Sequence, residues 1–172
     1  MMSLRVLMPT QLHAVCRRLA FAALLAAGAL TASLVSPAAA AAPAIGEPAP
    51  AFSVKTAAGE TRSLADYAGK VVVLEWTNHD CPYVGKHYGS GNMQALQKQA
   101  TADGVVWLTV ISSAPGEQGY VDGTEAERIA RAAGAAPSRI LLDPDGVMGR
   151  AYGAKTTPHM YVIDQDGGLA YM

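Results

Sequence analysis

The segment LEWTNHDCPYV, Leu74 to Val84, places a cysteine where a predicted strand gives way to a predicted helix. Pro82 follows Cys81, and proline is well tolerated in the first turn of a helix. The free backbone N–H groups and the dipole at a helix N-terminus favour a thiolate over a thiol. This placement favours a reactive thiol at Cys81, and a buried structural cysteine is the alternative.

Charged neighbours surround this cysteine in the sequence. His79 precedes it by two residues, and Lys86 and His87 follow it by five and six. A positive charge close to a thiol stabilises the ionised form, whereas Asp80 acts in the opposite sense. The sequence therefore does not set the direction of the pKa shift at Cys81.

Glu75 is a carboxyl group within the apolar run KVVVLEWT, residues 70–77. Burying a carboxylate without a partner is costly, so its presence there needs an explanation. General acid–base work on the thiol six residues on is one explanation. A carboxyl that faces a solvated pocket or pairs with a lysine is the other.

The stretch DPDG alternates Asp143 and Asp145 before Gly146, a pattern found in calcium loops. The further ligands and the closing glutamate of an EF-hand loop do not follow, so a β-turn is the favoured interpretation. Trp76 and Trp107 lie in strand-like runs and are interpreted as core residues, as is Tyr161.

The first 40 residues have the pattern of an export signal. Arg5, Arg17 and Arg18 precede an uncharged run from Leu19 to Val35, and small residues accumulate before Ala40. The run is shorter than the roughly 20 strongly apolar residues of a typical membrane span. We therefore predict a cleaved signal peptide over 1–40 and a periplasmic or secreted protein that meets the membrane only during export.

Cleavage would leave one cysteine, because the chain has two and Cys16 lies in the signal. No intramolecular disulfide could then form, so a solitary thiol in an oxidising compartment needs a role. Loss of the three signal arginines would leave ten basic and fourteen acidic residues, a formal charge of −4. Nothing in this charge distribution indicates a nucleic-acid surface.

The length of 172 residues and the 51% hydrophobic content predict one packed domain. Residues 41–50 are rich in alanine and proline and are interpreted as an extended leader, with the domain over 51–172. A hairpin with Gly59 in its turn is predicted first, followed by a short helical turn capped by Ser63. Apolar, β-branched runs predict buried strands at KVVVLEWT, VVWLTVISS and RILLD.

Helical patterns separate these strands. After the glycine-broken stretch GKHYGSGN, apolar spacing predicts a helix from Met93 that Gly104 ends. Thr124 with Glu127 has the pattern of a capping box that opens another helix. A short helix is predicted at VMGRAYGA, and HMYVID with LAYM forms a last hairpin.

The alternation predicts an α/β fold with a mixed central sheet flanked by helices and an antiparallel hairpin at its edge. The sequence stops within the last strand. A covering helix is expected on one face of that hairpin, so we predict that a C-terminal helix is missing.

The order and spacing of four motifs resemble the thioredoxin-like superfamily, specifically its exported peroxiredoxin-like branch (AhpC/TSA, redoxin). The motifs are GEPAPAF, VVVLEWTNHDCP, LLDPDGVMGRAYGA and TTPHMYVIDQDG, and the resemblance covers Ile45 to the end. It implies a thioredoxin-like fold in which Thr157 and Pro158, joined by a cis peptide bond, lie against Cys81.

The resemblance also implies roles for single residues. Glu75 occupies the place of the buried acid that assists proton transfer in thioredoxins. His159 follows the cis-proline. It is expected either to hydrogen-bond a substrate or polarise Cys81, or to face solvent at the start of a strand. Arg150 is a loose match to an arginine that stabilises the thiolate of peroxiredoxins, and a surface arginine is the favoured interpretation.

Two departures from these families stand out. Thioredoxins carry a second cysteine where this chain has Val84. Peroxiredoxins usually place a threonine or serine three residues before the reactive cysteine, and here Thr77 lies four before Cys81.

The function implied is thiol-dependent reduction of a peroxide or a disulfide through Cys81, without a cofactor. An external thiol must complete the cycle, because the mature chain has no second cysteine. One alternative is a copper or zinc site made by Cys81, His79, His87 and His159, although the Sco copper chaperones that suggest it use two cysteines. A redox-silent scaffold that binds a partner is the other.

Overall fold

The computed structural model describes residues 42–172. The predicted signal peptide over 1–40, with Cys16, lies outside the described residues. Within them, no helix has both the length and the apolar character needed to cross a membrane.

The centre of the fold is one mixed sheet with the strand order β2-β1-β5-β4-β3-β6-β7. The middle strands β3, β4 and β5 are parallel, and each edge of the sheet is an antiparallel hairpin. The predicted α/β fold and both hairpins are therefore confirmed. The strands are β1 Ser53–Thr56, β2 Thr61–Ser63, β3 Val72–Trp76, β4 Val106–Ile111, β5 Arg139–Leu142, β6 His159–Ile163 and β7 Leu169–Tyr171.

Within residues 42–172, four helices accompany the sheet, together with a 3-10 turn at Leu64–Tyr67. The turn follows Ser63, whose backbone N–H donates to the Asp66 carboxylate at 2.8 Å, as expected for the start of a helical turn. The helices are α1 Pro82–Gly89, α2 Asn92–Ala102, α3 Gly123–Ala132 and α4 Val147–Tyr152.

Strand β3 is buried along its whole length and divides its side chains between the two faces of the sheet. Leu74 and Trp76 face the core that contains Met148 and Tyr152 of α4. Val73 faces the opposite core with α2. Because side chains alternate along a strand, Glu75 lies on the α2 face with Val73.

One prediction about a helix start is wrong. Asp122, and not Thr124, caps α3, because its side chain accepts the backbone N–H of Glu125 at 2.8 Å. Helix α1 begins at Pro82, as predicted, and continues into the glycine-broken stretch GKHYGSGN as far as Gly89; the left-handed Gly91, where φ is +76°, separates it from α2.

The segment 42–50, predicted to be an extended leader, is attached to the domain. Backbone hydrogen bonds join Gly46 N–H to Leu169 O at 2.8 Å and Leu169 N–H to Glu47 O at 2.8 Å. A third joins Ala49 N–H to Gly167 O at 2.9 Å. This segment therefore supports the edge of the sheet at β7.

Candidate active site around Cys81

Cys81 is the N-cap residue of α1, and Pro82 is the first residue of that helix. The preceding loop is held by Asn78. Its backbone oxygen accepts the Cys81 N–H at 3.0 Å, and its side-chain oxygen accepts the Asp80 N–H at 2.9 Å. The half-buried thiol is thus positioned at the start of a helix, as the sequence predicts.

The thiol lies against the threonine of the cis Thr157–Pro158 pair. Cys81 Sγ donates to the Thr157 backbone oxygen at 3.1 Å, a contact that favours the protonated thiol. The Thr157 hydroxyl and the backbone N–H groups of Val84 and Tyr83 favour the thiolate. These donors outweigh partial burial and lower the pKa of Cys81.

Glu75 is fully buried on the α2 face of the sheet. Its Oε1 accepts the Tyr88 hydroxyl at 2.9 Å. Its Oε2 accepts the Trp107 indole N–H at 2.8 Å, the Gln97 amide at 3.0 Å and the Thr109 hydroxyl at 3.3 Å. The carboxyl therefore pairs with four neutral donors and with no lysine.

Burial raises the pKa of Glu75, and the four hydrogen bonds oppose that shift without reversing it. Burial and the neighbouring Glu75 charge raise the pKa of Tyr88, so the phenol keeps its proton and remains a donor. A carboxyl with a raised pKa keeps its proton to a higher pH than an exposed glutamate does.

Sequence reasoning missed the partners of Glu75. Gln97 falls at an apolar position of the predicted α2 pattern, yet it is fully buried. Its amide N–H₂ donates to Glu75, and its amide oxygen accepts the Ala136 N–H at 2.8 Å. A glutamine on the apolar face of a helix was the one signal that a buried polar partner exists.

A cavity of about 180 Å³ separates α1 from α3. Thr77 and His79 of the cysteine loop line it, as do Tyr88 and Thr109, which both donate to Glu75. The cavity therefore extends from the Cys81 loop to the hydrogen-bond network of Glu75.

The three basic residues nearest Cys81 in sequence are not directed at its sulfur. His79 Nε2 lies 3.4 Å from the Asp80 carboxylate. Lys86 and His87 lie in the last turn of α1, away from its N-terminus. The backbone and Thr157, and not these side chains, therefore lower the pKa of the thiol.

His159 is the first residue of β6 and pairs with Trp76, the last residue of β3. Burial lowers the pKa of its imidazole. Its Nδ1 lies 3.2 Å from the Tyr161 hydroxyl, and the centroids of the His159 and Tyr161 rings are 4.6 Å apart. His159 is therefore packed at the end of the sheet from which the cysteine loop departs.

Arg150 is remote from this chemistry, since its guanidinium donates to the Asp145 backbone oxygen at 2.9 Å on the surface. Asp143 is buried and accepts the Ser112 hydroxyl at 2.6 Å and the backbone N–H groups of Met148 and Gly149. Its oxygens thus anchor the start of α4, which agrees with a turn and not a calcium loop.

No cluster of three or more His, Cys, Asp and Glu side chains able to hold a metal ion occurs in the described part of the chain. The alternative set of Cys81, His79, His87 and His159 stays a prediction without such a cluster to support it.

Three solved structures show the same fold. An uncharacterized conserved protein from Geobacillus kaustophilus is 22% identical, with a TM-score of 0.67 over 74% of this chain and 67% of that one. A secreted Mycobacterium tuberculosis disulfide oxidoreductase homologous to Escherichia coli DsbE is 20% identical, with a TM-score of 0.56 over 70% and 81%. The exposed lipoprotein thioredoxin Etrx1 of Streptococcus pneumoniae is 27% identical, with a TM-score of 0.54 over 70% and 85%.

These similarities confirm the predicted thioredoxin-like α/β fold. None of the curated proteins matches the chain in sequence. The AhpC/TSA family model matches residues 45–172, which include Cys81, Glu75 and the Thr157–Pro158 pair. The chain belongs to the AhpC/TSA family.

Proposed function

We propose that this protein is an exported monothiol redox protein in which Cys81 exchanges with disulfides and an external thiol completes the cycle. The observation that carries the proposal is the half-buried Cys81 thiol. It sits at the N-terminus of α1 against Thr157, where its pKa is lowered. A lowered pKa increases the fraction of attacking thiolate at neutral pH.

The reaction has two exchange steps. The Cys81 thiolate attacks one sulfur of a substrate disulfide, the S–S bond breaks, and the other sulfur leaves as a thiolate. An external thiolate then attacks the substrate sulfur of the mixed disulfide and releases Cys81 as a thiolate. A second external thiol then repeats the exchange on the disulfide between the substrate and the first external thiol. Over the whole cycle the substrate disulfide gains two electrons, and the two external thiols lose them.

Peroxide is the alternative oxidant. The thiolate would attack one peroxide oxygen and become a sulfenic acid, and the other oxygen would leave with a proton. Disulfide exchange is favoured because Arg150, the candidate for the arginine that stabilises the thiolate of peroxiredoxins, donates to the Asp145 backbone at the surface instead. The disulfide oxidoreductases among the structural neighbours support the same choice.

Export is supported by the predicted signal peptide over 1–40. Two of the structural neighbours are described as secreted or surface-exposed proteins. An extracytoplasmic location would also provide disulfide substrates, because disulfides persist in oxidising compartments.

Mass spectrometry combined with stopped-flow kinetics tests this function on the full chain carrying Cys16→Ser. Cys81 is expected to form a mixed disulfide with oxidised glutathione faster than a free thiol does, and a Cys81→Ser variant is expected to form none. A sulfenic acid after hydrogen peroxide, at a rate well above that of a free thiol, would instead identify a peroxidase. Rates no faster than a free thiol with both oxidants would identify a redox-silent scaffold.

A further inference from the structure

A short chain of hydrogen bonds links His159 to the end of α4. The Tyr161 hydroxyl lies 3.0 Å from the backbone oxygen of Tyr152 and 3.2 Å from His159 Nδ1. Tyr161 and Tyr152 are both fully buried, so water does not replace these partners.

The Tyr161 hydroxyl has a single proton to share between the two neighbours. The Tyr152 carbonyl only accepts, and the last carbonyl groups of a helix have no donor within the helix. The hydroxyl proton therefore points to the Tyr152 oxygen, which would otherwise be a buried acceptor without a partner. The Tyr161 oxygen is left as an acceptor toward His159.

An acceptor at this place fixes the histidine tautomer. Nδ1 has to carry the proton that it donates to Tyr161, so Nε2 of the neutral imidazole carries the free lone pair. The lowered pKa of His159 agrees with a neutral ring at pH 7.

The position of His159 in β6 places the residue at the end of the sheet where the thiol lies. His159 lies two residues after Thr157, whose backbone oxygen is 3.1 Å from Cys81 Sγ. It also pairs with Trp76, the strand residue from which the cysteine loop departs. The imidazole and the thiol thus occupy the same end of the sheet.

We propose that Tyr161 is a positioning residue that holds neutral His159 as its Nδ1–H tautomer, so that Nε2 accepts the proton of the external thiol that resolves the Cys81 mixed disulfide. This role rests on the proposed function. In this step the external thiol gives its proton to Nε2, and its sulfur attacks the substrate sulfur. The S–S bond breaks, and its electron pair leaves on Cys81 Sγ.

The tautomer is measured directly by nitrogen NMR of the imidazole. The wild-type protein is expected to carry the proton on Nδ1, and Tyr161→Phe, which removes the accepting oxygen, is expected to lose that preference. Tyr152→Phe is the matched control. It removes another tyrosine hydroxyl, bonded to Pro50 O at 2.7 Å, but keeps the Tyr152 backbone oxygen and therefore the tautomer. A proton on Nε2 in the wild type would overturn the assignment.

The chemical role is measured with the full chain carrying Cys16→Ser, loaded at Cys81 with glutathione as a mixed disulfide. Release of the free Cys81 thiolate is followed by mass spectrometry of the protein with two thiols, one un-ionised and one largely ionised at the assay pH. His159→Asn is expected to slow release by the un-ionised thiol about tenfold or more and to leave the ionised thiol nearly unaffected, since only the first needs a proton acceptor. Tyr161→Phe is expected to show the same selectivity with a smaller effect.

Equal slowing with both thiols, or no slowing with either, would overturn the role of His159. Failure of Cys81 to form the mixed disulfide at all would instead overturn the proposed function. The two failures are therefore distinguishable in one set of measurements.

Discussion

Cys81 and Glu75 are six residues apart in one segment, yet the fold treats their ionisable groups in opposite ways. The thiol is half-buried, and nearby hydrogen-bond donors lower its pKa. The carboxyl is fully buried, and desolvation raises its pKa. Both shifts bring the group closer to neutral pH, one from above and one from below.

The origin of the donors explains the difference between the two groups. The thiol takes the Thr157 hydroxyl and backbone N–H groups of its own helix. Any sequence that starts a helix there would supply the backbone groups. The carboxyl takes side chains from α1, α2 and β4, which only this combination of Tyr88, Gln97, Trp107 and Thr109 supplies. Local structure and one tertiary contact, with Thr157, thus tune the thiol, whereas tertiary contacts alone tune the carboxyl.

The largest expected effect is on stability. Glu75→Ala leaves buried donors without an acceptor and creates a void, so it should lower the free energy of unfolding by roughly 3 to 5 kcal/mol. Urea denaturation at pH 7 measures this change. Glu60→Ala, at a half-exposed carboxylate paired with Arg62, is the matched control and should change it by less than about 0.5 kcal/mol. Similar losses at the two sites would contradict the tertiary origin of the Glu75 environment.

The next effect is a pH dependence of that stability. Because the folded pKa of Glu75 lies above its ordinary value of 4.5, the folded state binds more protons than the unfolded state between the two values. The stability of the wild type relative to Glu75→Gln should therefore fall as pH rises through this window and stay level below it. Urea denaturation of both proteins at a series of pH values measures the difference. A difference that grows with pH would mean that the donors outweigh desolvation.

The smallest expected effect is a shift in the titration of the thiol. Thr157→Val removes the hydroxyl that contributes most to lowering the pKa of Cys81, so the midpoint of alkylation against pH should move upward. The backbone N–H groups remain, so the shift should be partial. Thr157→Ser keeps the hydroxyl and should leave the midpoint near that of the wild type. An unchanged midpoint in Thr157→Val would assign the whole effect to the backbone.

Much of the fold was readable from the sequence because its strands are strongly marked. The runs at β3, β4 and β5 are apolar and β-branched, as buried parallel strands require. The start of α1 at Pro82 was predicted, but its extent was not, because Gly85 and Gly89 lower the helical propensity of the segment. The start of α3 was misplaced because Thr124 with Glu127 has the pattern of a capping box, whereas Asp122 adopts the capping geometry.

The candidate site was readable only in part. The motif order placed Cys81 beside Thr157, and the structure brings them to 3.1 Å. The roles of these residues and of Glu75 stay predictions. Nothing in the sequence pairs Glu75 with Tyr88 or Gln97, because their proximity depends on how α1 and α2 pack on the sheet. Arg150 matches a motif position, yet its side chain does not reach the thiol and donates to the Asp145 backbone instead.

The two tryptophans of this chain give each part of the site its own optical reporter. The Trp107 indole donates to the Glu75 carboxyl on one face of the sheet, so its emission should respond to the charge of that carboxyl. The Trp76 indole packs against Tyr152 and Tyr161 on the other face, beside the strand end that leads to Cys81. Replacing one tryptophan at a time by phenylalanine would let fluorescence follow proton uptake and thiol chemistry separately in the same molecule.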